Sequence, residues 1–225
     1  MHPIRMNGLE GHLLAVFDGH HGEYVANYCR THFPGYFLPK SAEDVPEALA
    51  RAVAQLAEET RHSESGTTLS AACILESHDL MATAALGDSP IVALKKDGSL
   101  WRSTLHNVGS NEEERRSAQE SGATYLDGYI SASHKSGWLQ LSRALGDAPL
   151  RKVLSDTPDI SIIESPSAVL VATDGIFNEE YTDADTLKEL GAFIAQDVDA
   201  NALLNWRIRN GGKLRDNVTI LLWKK

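Results

Sequence analysis

Short apolar runs bounded by turn residues recur along the chain and predict buried strands. They occupy residues 13–17, 67–75, 80–86, 91–94, 159–163, 168–173 and 218–223. The runs between 67 and 94 follow one another closely, and Ser77-His78-Asp79 is a plausible hairpin turn. Such a meander predicts antiparallel pairing, because neighbouring antiparallel strands need only short connections.

Apolar residues spaced by three and four predict helices between these groups of strands. One helical stripe would contain Val25, Cys29 and Phe33, and a second would contain Val45 and Leu49. Candidate helix starts lie near Glu23, Asp44, Ser110, Thr182 and Asp199, with Ser110 and Glu113 in a capping-box pattern. Runs of strands punctuated by separate helix pairs favour helices packed outside antiparallel sheets over a parallel sheet with crossover helices.

Composition narrows the class of protein. The chain has 225 residues, enough for a real core, and no linker divides it, so we expect one domain over residues 1–225. A net charge of −10 makes a nucleic-acid partner unexpected. Cys29 and Cys73 fall in apolar segments and are expected to be reduced thiols. Without a long apolar run or a signal peptide, we expect a soluble, monomeric protein in the cytoplasm or another intracellular compartment, away from membranes.

Three aspartates stand where predicted strands end: Asp18, Asp174 and Asp216. Asp88 lies between two further strands, in Gly87-Asp88-Ser89. Several carboxylates cannot stay ionised at close range without cations, because repulsion and desolvation raise their pKa values. Each aspartate alone is more often an ordinary turn residue. Together, at strand ends where sheet proteins place their sites, they favour a shared centre for hard metal ions.

The Asp18-Gly19 turn combines a carboxylate with a main-chain carbonyl that glycine leaves accessible. Oxygen donors suit magnesium or manganese better than zinc. His20 follows directly and could protonate a leaving group. The alternative interpretation is an Asp-Gly turn followed by an incidental histidine.

The order of these motifs resembles the metal-dependent serine/threonine protein phosphatases of type 2C, the PPM family. The resemblance extends from about Leu13 to the C-terminus. It rests on six segments: Val16-Phe17-Asp18-Gly19-His20, Ser65-Gly66-Thr67-Thr68, Gly87-Asp88-Ser89, Leu141-Ser142-Arg143-Ala144-Leu145-Gly146-Asp147, Ala172-Thr173-Asp174-Gly175 and Arg215-Asp216-Asn217-Val218-Thr219.

This resemblance implies an α+β fold, with a central sandwich of two antiparallel sheets flanked by helix pairs and a two-metal centre at one end. It also implies a ligand set for Mg²⁺ or Mn²⁺. Asp18 would bridge both ions, and the Gly19 carbonyl would bind one of them. Asp174 and Asp216 would complete the other site, and Asp88 with Asp174 would hold a weaker third ion.

The activity implied is hydrolysis of phosphoserine and phosphothreonine in phosphorylated protein substrates, with Asp18 and His20 as catalytic residues. His20 would be the general acid, whereas Asp147 is interpreted as structural support rather than a ligand. No phosphoenzyme is implied, and neither cysteine lies in a nucleophile motif. The residue that binds phosphate is not identified.

The chain also departs from the family pattern. The family's additional N-terminal strand, which carries an arginine for phosphate and a glutamate for the second metal, is expected to be missing. Arg5 and Glu10 are the only candidates, and we do not assign them these roles. Asn178 stands where a second aspartate is usual, and His21 replaces a small residue beside the metal turn. These departures leave two alternatives open: a catalytically impaired relative that acts as a protein-binding scaffold, or a fragment that lacks its first strand.

Overall fold

Fourteen strands and five helices build the part of the chain that the structure describes. The computed structural model covers residues 2–6, 9–133, 137–177, 183–196, 198–210 and 216–225. The strands are β1 His2–Met6, β2 Leu9–Val16, β3 Gly19–His20, β4 Gly66–Thr67, β5 Leu69–Leu75, β6 Leu80–Leu86, β7 Ile91–Lys95, β8 Leu100–Arg102, β9 Thr124–Leu126, β10 Tyr129–Ser131, β11 Leu145–Gly146, β12 Asp159–Glu164, β13 Pro166–Ala172 and β14 Ile220–Lys224. The helices are α1 Tyr24–Tyr36, α2 Val45–Thr60, α3 Glu112–Glu120, α4 Asp183–Ile194 and α5 Ala200–Asn210.

Two antiparallel sheets form the centre of the molecule. The first has the strand order β1-β2-β5-β6-β12, and the second has the order β14-β13-β7-β8. Every pairing within them is antiparallel, as the meander pattern predicted. Two smaller sheets, β11-β4-β3 and β10-β9, lie outside this pair.

The core divides into layers because successive side chains of a strand point to opposite faces. In β2, Leu13 packs with α1 and α2, whereas Leu14 packs between the two sheets. In β13, Val171 belongs to the same central layer, and Leu170 packs with α4 and α5 on the far side. The layers are therefore helix, sheet, sheet, helix, which confirms the predicted sandwich.

The helical stripes are confirmed; one predicted cap is wrong, and a second is confirmed in its position only. Ser110 does not cap α3, because Asn111 is the N-cap and its side chain accepts from the backbone N–H groups of Glu113 and Glu114. Asp44 is the N-cap residue of α2 but makes no capping hydrogen bond with its side chain. Its carboxylate accepts instead from the Lys40 backbone.

The other predicted helix starts have mixed outcomes. Asp199 caps α5, accepting from the backbone N–H of Ala202 at 2.7 Å. The predicted start at Thr182 lies outside the described residues.

Residues His2–Met6 form a strand that was not predicted from the sequence. β1 is the outer strand of the first sheet and pairs with β2 in a register that places Arg5 opposite Glu10. Glu10 lies six residues before the end of β2, which at about 3.3 Å per residue corresponds to roughly 20 Å. This register places both residues toward the end of the sheet away from Asp18.

Both cysteines are buried free thiols. Burial raises the pKa of each thiol to about 12, so both are unreactive as nucleophiles at neutral pH. None of the helices in the described ranges combines the length and the apolar composition that crossing a bilayer requires.

Candidate metal centre

One cleft of about 220 Å³ brings together the six residues predicted to bind metal or take part in catalysis. It opens where several strands end, so the segments that meet there are far apart in the chain. Its lining consists of Asp18, Gly19, His20, Thr68, Asp88, Asp174 and Asp216, together with Tyr129, Trp138, Leu139, Gln140 and Leu141. The roles of the individual residues stay predictions; their proximity is a property of the fold.

Asp18 is held in place by the Gly66-Thr67-Thr68 segment. The Thr68 backbone N–H and the Thr67 hydroxyl donate to the Asp18 carbonyl at 2.9 and 3.0 Å. The Asp18 N–H donates in turn to the Thr68 hydroxyl, which lies 2.8 Å from the hydroxyl of Ser89. Three of the sequence motifs are therefore linked through the side chain of Thr68.

Asp174 and Asp216 are brought close by a contact between their two loops. The Thr173 hydroxyl donates to the Asn217 carbonyl at 3.1 Å and accepts from the backbone N–H of Thr219 at 3.0 Å. A side chain at Gly175 would overlap the Asn217 carbonyl, so the loops approach this closely only because residue 175 is glycine.

Asp88 is the most deeply buried of the four carboxylates. It is 8% exposed, and Asn107 donates from its side-chain amide to Oδ2 at 2.8 Å. The adjacent His106 accepts from the Gly87 backbone N–H at its ring Nδ1. The backbone N–H of His106 donates to the Gly87 carbonyl. The sequence analysis did not identify Asn107 or His106, because no local pattern indicates that their side chains would reach the Gly87-Asp88 turn.

A partly buried ionic network contacts His106 on the side away from Gly87. Because Nδ1 is an acceptor, Nε2 carries the proton and donates to Asp159 at 3.2 Å. Arg143 donates to Asp159 at 2.8 Å and makes a two-point contact with Glu114 at 2.6 and 3.1 Å. Burial would raise the pKa of Glu114, but hydrogen bonds from Arg143 and Ser142 hold it below its ordinary value. The arginine of the Leu-Ser-Arg motif is thus part of the scaffold behind the cleft.

The electrostatics of the cleft favour bound cations. Desolvation, reinforced by the neighbouring carboxylates, raises the pKa of Asp18 to about 6 and that of Asp174 to about 7. Desolvation also raises the pKa of Asp88, in spite of its hydrogen bond from Asn107. Each shift records the cost of bringing negative charges together in a partly buried place.

The donor set fits a divalent metal. Oδ1 of Asp174 is buried and, within the described residues, has no hydrogen-bond partner. A buried acceptor without a partner is costly unless something absent from the protein chain satisfies it. Carboxylate oxygens with a nearby main-chain carbonyl are the ligands that Mg²⁺ and Mn²⁺ prefer. The acidic lining therefore suits these ions.

His20 contacts an acidic residue, Asp147, that does not line the cleft. Its Nε2 lies 2.6 Å from Oδ2 of Asp147, which is only 1% exposed. His21 reaches the other oxygen, with Nδ1 at 3.4 Å from Oδ1. The strands β3, β4 and β11 bring these residues together, since Gly66 of β4 pairs with His20 on one side and Gly146 on the other. The supporting role of Asp147 stays a prediction.

Two exposed aromatic residues, Tyr129 and Trp138, line the same cleft as the carboxylates. Ile130 and Leu139 pair through two backbone hydrogen bonds and turn their side chains inward. Tyr129 and Trp138, each next to one of this pair, therefore share the outward face, and both line the cleft. Sequence reasoning did not identify them. Asn178, flagged as a departure, lies outside the described residues.

The fold and the cleft together define a four-layer sandwich protein with an acidic, metal-type site at the ends of its strands. The family model described as Protein phosphatase 2C matches residues 7–187, and the chain belongs to that family.

Relatives with known names agree with this assignment. The chain is 31% identical to Protein phosphatase fem-2 of Caenorhabditis elegans, over 74% of this chain and 40% of the relative. It is 28% identical to Protein phosphatase 1B of Rattus norvegicus, over 96% of this chain and 63% of the relative. The chain thus spans less than two thirds of the length of either protein.

Solved structures show the same fold. A C. elegans sex-determining protein superposes with a TM-score of 0.70 at 27% identity, covering 96% of this chain and 56% of that one. The serine-threonine phosphatase 2C from Toxoplasma gondii superposes with a TM-score of 0.65 at 20% identity, covering 93% and 83%. At 20% identity, the similarity to the Toxoplasma gondii structure supports the fold alone.

Proposed function

We propose that the chain is a metal-dependent protein phosphatase that hydrolyses phosphoserine and phosphothreonine. The observation that carries this proposal is the meeting of Asp18, Asp88, Asp174 and Asp216 in one cleft, with a buried Asp174 oxygen that lacks a partner. Family membership makes phosphate-ester hydrolysis the first chemistry to test.

We propose the following metal ligands. Asp18 and the Gly19 carbonyl would hold one Mg²⁺ or Mn²⁺, and Asp18, Asp174 and Asp216 would hold a second; Asp88 and Asp174 would hold a weaker third. Bound divalent ions would supply an activated water and neutralise charge on the phosphoryl oxygens. The rigid contacts of Thr68, Thr173 and Asn217 keep the carboxylates in place before any ion binds.

The proton for the departing serine or threonine oxygen would come from His20. It is the only histidine, lysine or arginine among the described residues that line the cleft, and it directly follows the Asp18-Gly19 turn. The contact with buried Asp147 orients its ring. General acids in such positions contribute about 10²- to 10⁴-fold to rates.

We also propose where and how the protein acts. Its free buried thiols suit a reducing, intracellular compartment. Its substrates would be phosphoproteins, which it would meet as a monomer.

The proposal is tested by manganese-dependent hydrolysis of p-nitrophenyl phosphate and of a phosphothreonine peptide. Asp174→Asn removes one charge from the centre and is expected to lower kcat by about 10²-fold or more, since one charge-stabilising contact is worth about 2.7–4 kcal/mol. Asp97→Asn, on an exposed turn, is the matched control and should keep full activity. Equal activity of wild type and Asp174→Asn would contradict the proposal.

A second candidate is a catalytically impaired scaffold that binds partner proteins. It is favoured by the cleft lining, which in the described residues contains no lysine or arginine for phosphate. The backbone register, which places Arg5 and Glu10 toward the far end of the sheet, also favours it. If calorimetry shows manganese bound to a wild-type protein that turns over neither substrate, this candidate is correct.

A further inference from the structure

The histidine pair beside the cleft forms a donor set different from that of the acidic centre. Ligand atoms of His20, His21 and Asp147 all lie within 4.8 Å of one another. Two imidazoles and one carboxylate are the ligands of many zinc sites, in which a water completes the tetrahedron. We propose that these three residues form a separate binding site for zinc or copper(II), and that its occupation inhibits the phosphatase.

The fold brings the three side chains together. Asp147 is almost fully buried, and its two oxygens point at different histidines, one at Nε2 of His20 and the other at Nδ1 of His21. A side chain at Gly66 would overlap both Oδ2 of Asp147 and Nε2 of His20, so a glycine is needed where they meet. His21 adopts a left-handed backbone conformation with φ of 56°, which is uncommon for a residue other than glycine.

The geometry needs little adjustment to hold a metal. Zinc–nitrogen and zinc–oxygen bonds of about 2.0–2.2 Å place tetrahedral ligand atoms roughly 3.3 Å apart. The distance of 2.6 Å between Nε2 of His20 and Oδ2 of Asp147 must therefore lengthen slightly. The longer distances between ligand atoms of the three residues must shorten by about 1.5 Å at most. The His21 side chain is 43% exposed, which leaves a route for the ion and room for a water ligand.

The two sites differ in the metals they select. The acidic centre offers oxygen atoms, which favour Mg²⁺ and Mn²⁺, whereas imidazole nitrogen favours zinc and copper. A metal at Nε2 of His20 would displace the proton shared with Asp147 and pull the ring away from its acid role. Only this inhibitory effect depends on the proposed phosphatase function; the site itself does not.

Binding is tested without turnover by electron paramagnetic resonance of copper(II). In Asp174→Asn, which weakens the acidic centre, copper(II) should still show nitrogen couplings from two imidazoles. In His21→Ala the spectrum should lose one nitrogen, and affinity should fall at least about tenfold, because even residues behind the ligands of metal sites are worth 10–100-fold. His78→Ala, on an exposed turn, is the matched control and should change nothing.

Inhibition is tested on the manganese-loaded protein with p-nitrophenyl phosphate. Zinc should inhibit the wild type, and His21→Ala should need at least about tenfold more zinc for half inhibition, measured against its own rate without zinc. The inference is overturned if copper(II) binds His21→Ala with unchanged affinity and nitrogen couplings. It is equally overturned if zinc inhibits wild type and His21→Ala alike and excess manganese relieves both. If no variant turns over substrate, the resonance measurement still decides the site, and the failure belongs to the proposed function.

Discussion

Nε2 of His20 lies 2.6 Å from Oδ2 of Asp147, a residue 127 positions further along the chain. Asp147→Asn keeps the side-chain shape and suits the left-handed backbone at this residue, where φ is 49°. It removes the charge that orients His20 as a proton donor. We expect kcat for a phosphothreonine peptide to fall about 10- to 100-fold with little change in KM. This loss is smaller than the roughly 10²- to 10⁴-fold rate increase that a general acid contributes, because His20 itself is retained.

The leaving group separates this role from a structural one. Nitrophenolate leaves without help from an acid, so hydrolysis of p-nitrophenyl phosphate should change much less in the same variant. Asp156→Asn, at a mostly exposed ion pair, serves as the control. An equal loss with both substrates would show that Asp147 acts on the fold and not on proton transfer.

Gly66→Ala should damage the site directly. The added methyl group would overlap Oδ2 of Asp147 and Nε2 of His20, so the two side chains must separate or the strand must shift. Overpacking of this kind costs about 1–3 kcal/mol, and kcat should fall with it. Gly35→Ala is the matched control, because nothing lies near that position inside α1 and alanine favours a helix. Chemical denaturation and peptide hydrolysis measure both effects; equal behaviour of the two variants would refute the packing argument.

The stability of the metal-free protein should fall as pH rises from about 4 to 7. Asp18 and Asp174 have folded pKa values of about 6 and about 7, above the ordinary 3.8. Groups whose pKa is raised in the folded state stabilise it fully below the unfolded value and lose that contribution as pH rises through the folded value.

Manganese should reverse the trend, because it binds the ionised carboxylates and its affinity rises as they lose their protons. Thermal unfolding with and without manganese measures both slopes. Asp174→Asn should flatten the metal-free slope. A metal-free stability that is constant or rises over this range would contradict the shared origin of the two pKa shifts.

Arg143→Gln should destabilise the fold by about 3 kcal/mol. It would leave the buried Glu114 carboxylate without the two-point contact that compensates its burial, and breaking such a pair costs about 3–5 kcal/mol. Arg143→Lys should recover only part of this, because an ammonium group cannot reproduce the planar two-point contact. Arg151→Gln, at an exposed pair, is the control and should change the free energy of unfolding by about 0.5 kcal/mol or less. Urea denaturation measures the free energy of unfolding of the three variants. Equal values would show that the contacts of Arg143 do not stabilise the fold.

Most of the secondary structure could be predicted because it depends on local patterns. The buried stripe of Val25, Cys29 and Phe33 and the strand runs around Leu14 and Leu170 follow directly from helical spacing and apolar clustering. Caps were less predictable. Asn111, one residue after the predicted Ser110, forms the α3 cap, since neighbouring polar residues compete for the same backbone groups.

The N-terminal strand was missed for a different reason. β1 has only five residues and no continuous apolar run, and it forms a strand by pairing with β2. Pairing of this kind is a tertiary property, because strand preference is weak without a partner.

The sequence by itself determined the family, the layered sandwich and the identity of the acidic residues. These features depend on short motifs and on apolar periodicity, which involve residues that are close together in the chain. Only the tertiary structure decided that Asp147 contacts His20, that Asn107 supports Asp88, and that Tyr129 and Trp138 line the same cleft as the carboxylates. These relationships join segments from 19 to 127 residues apart in the chain. They depend on strand register and on glycines that permit close approach, and neither leaves a periodic signal in the residues themselves.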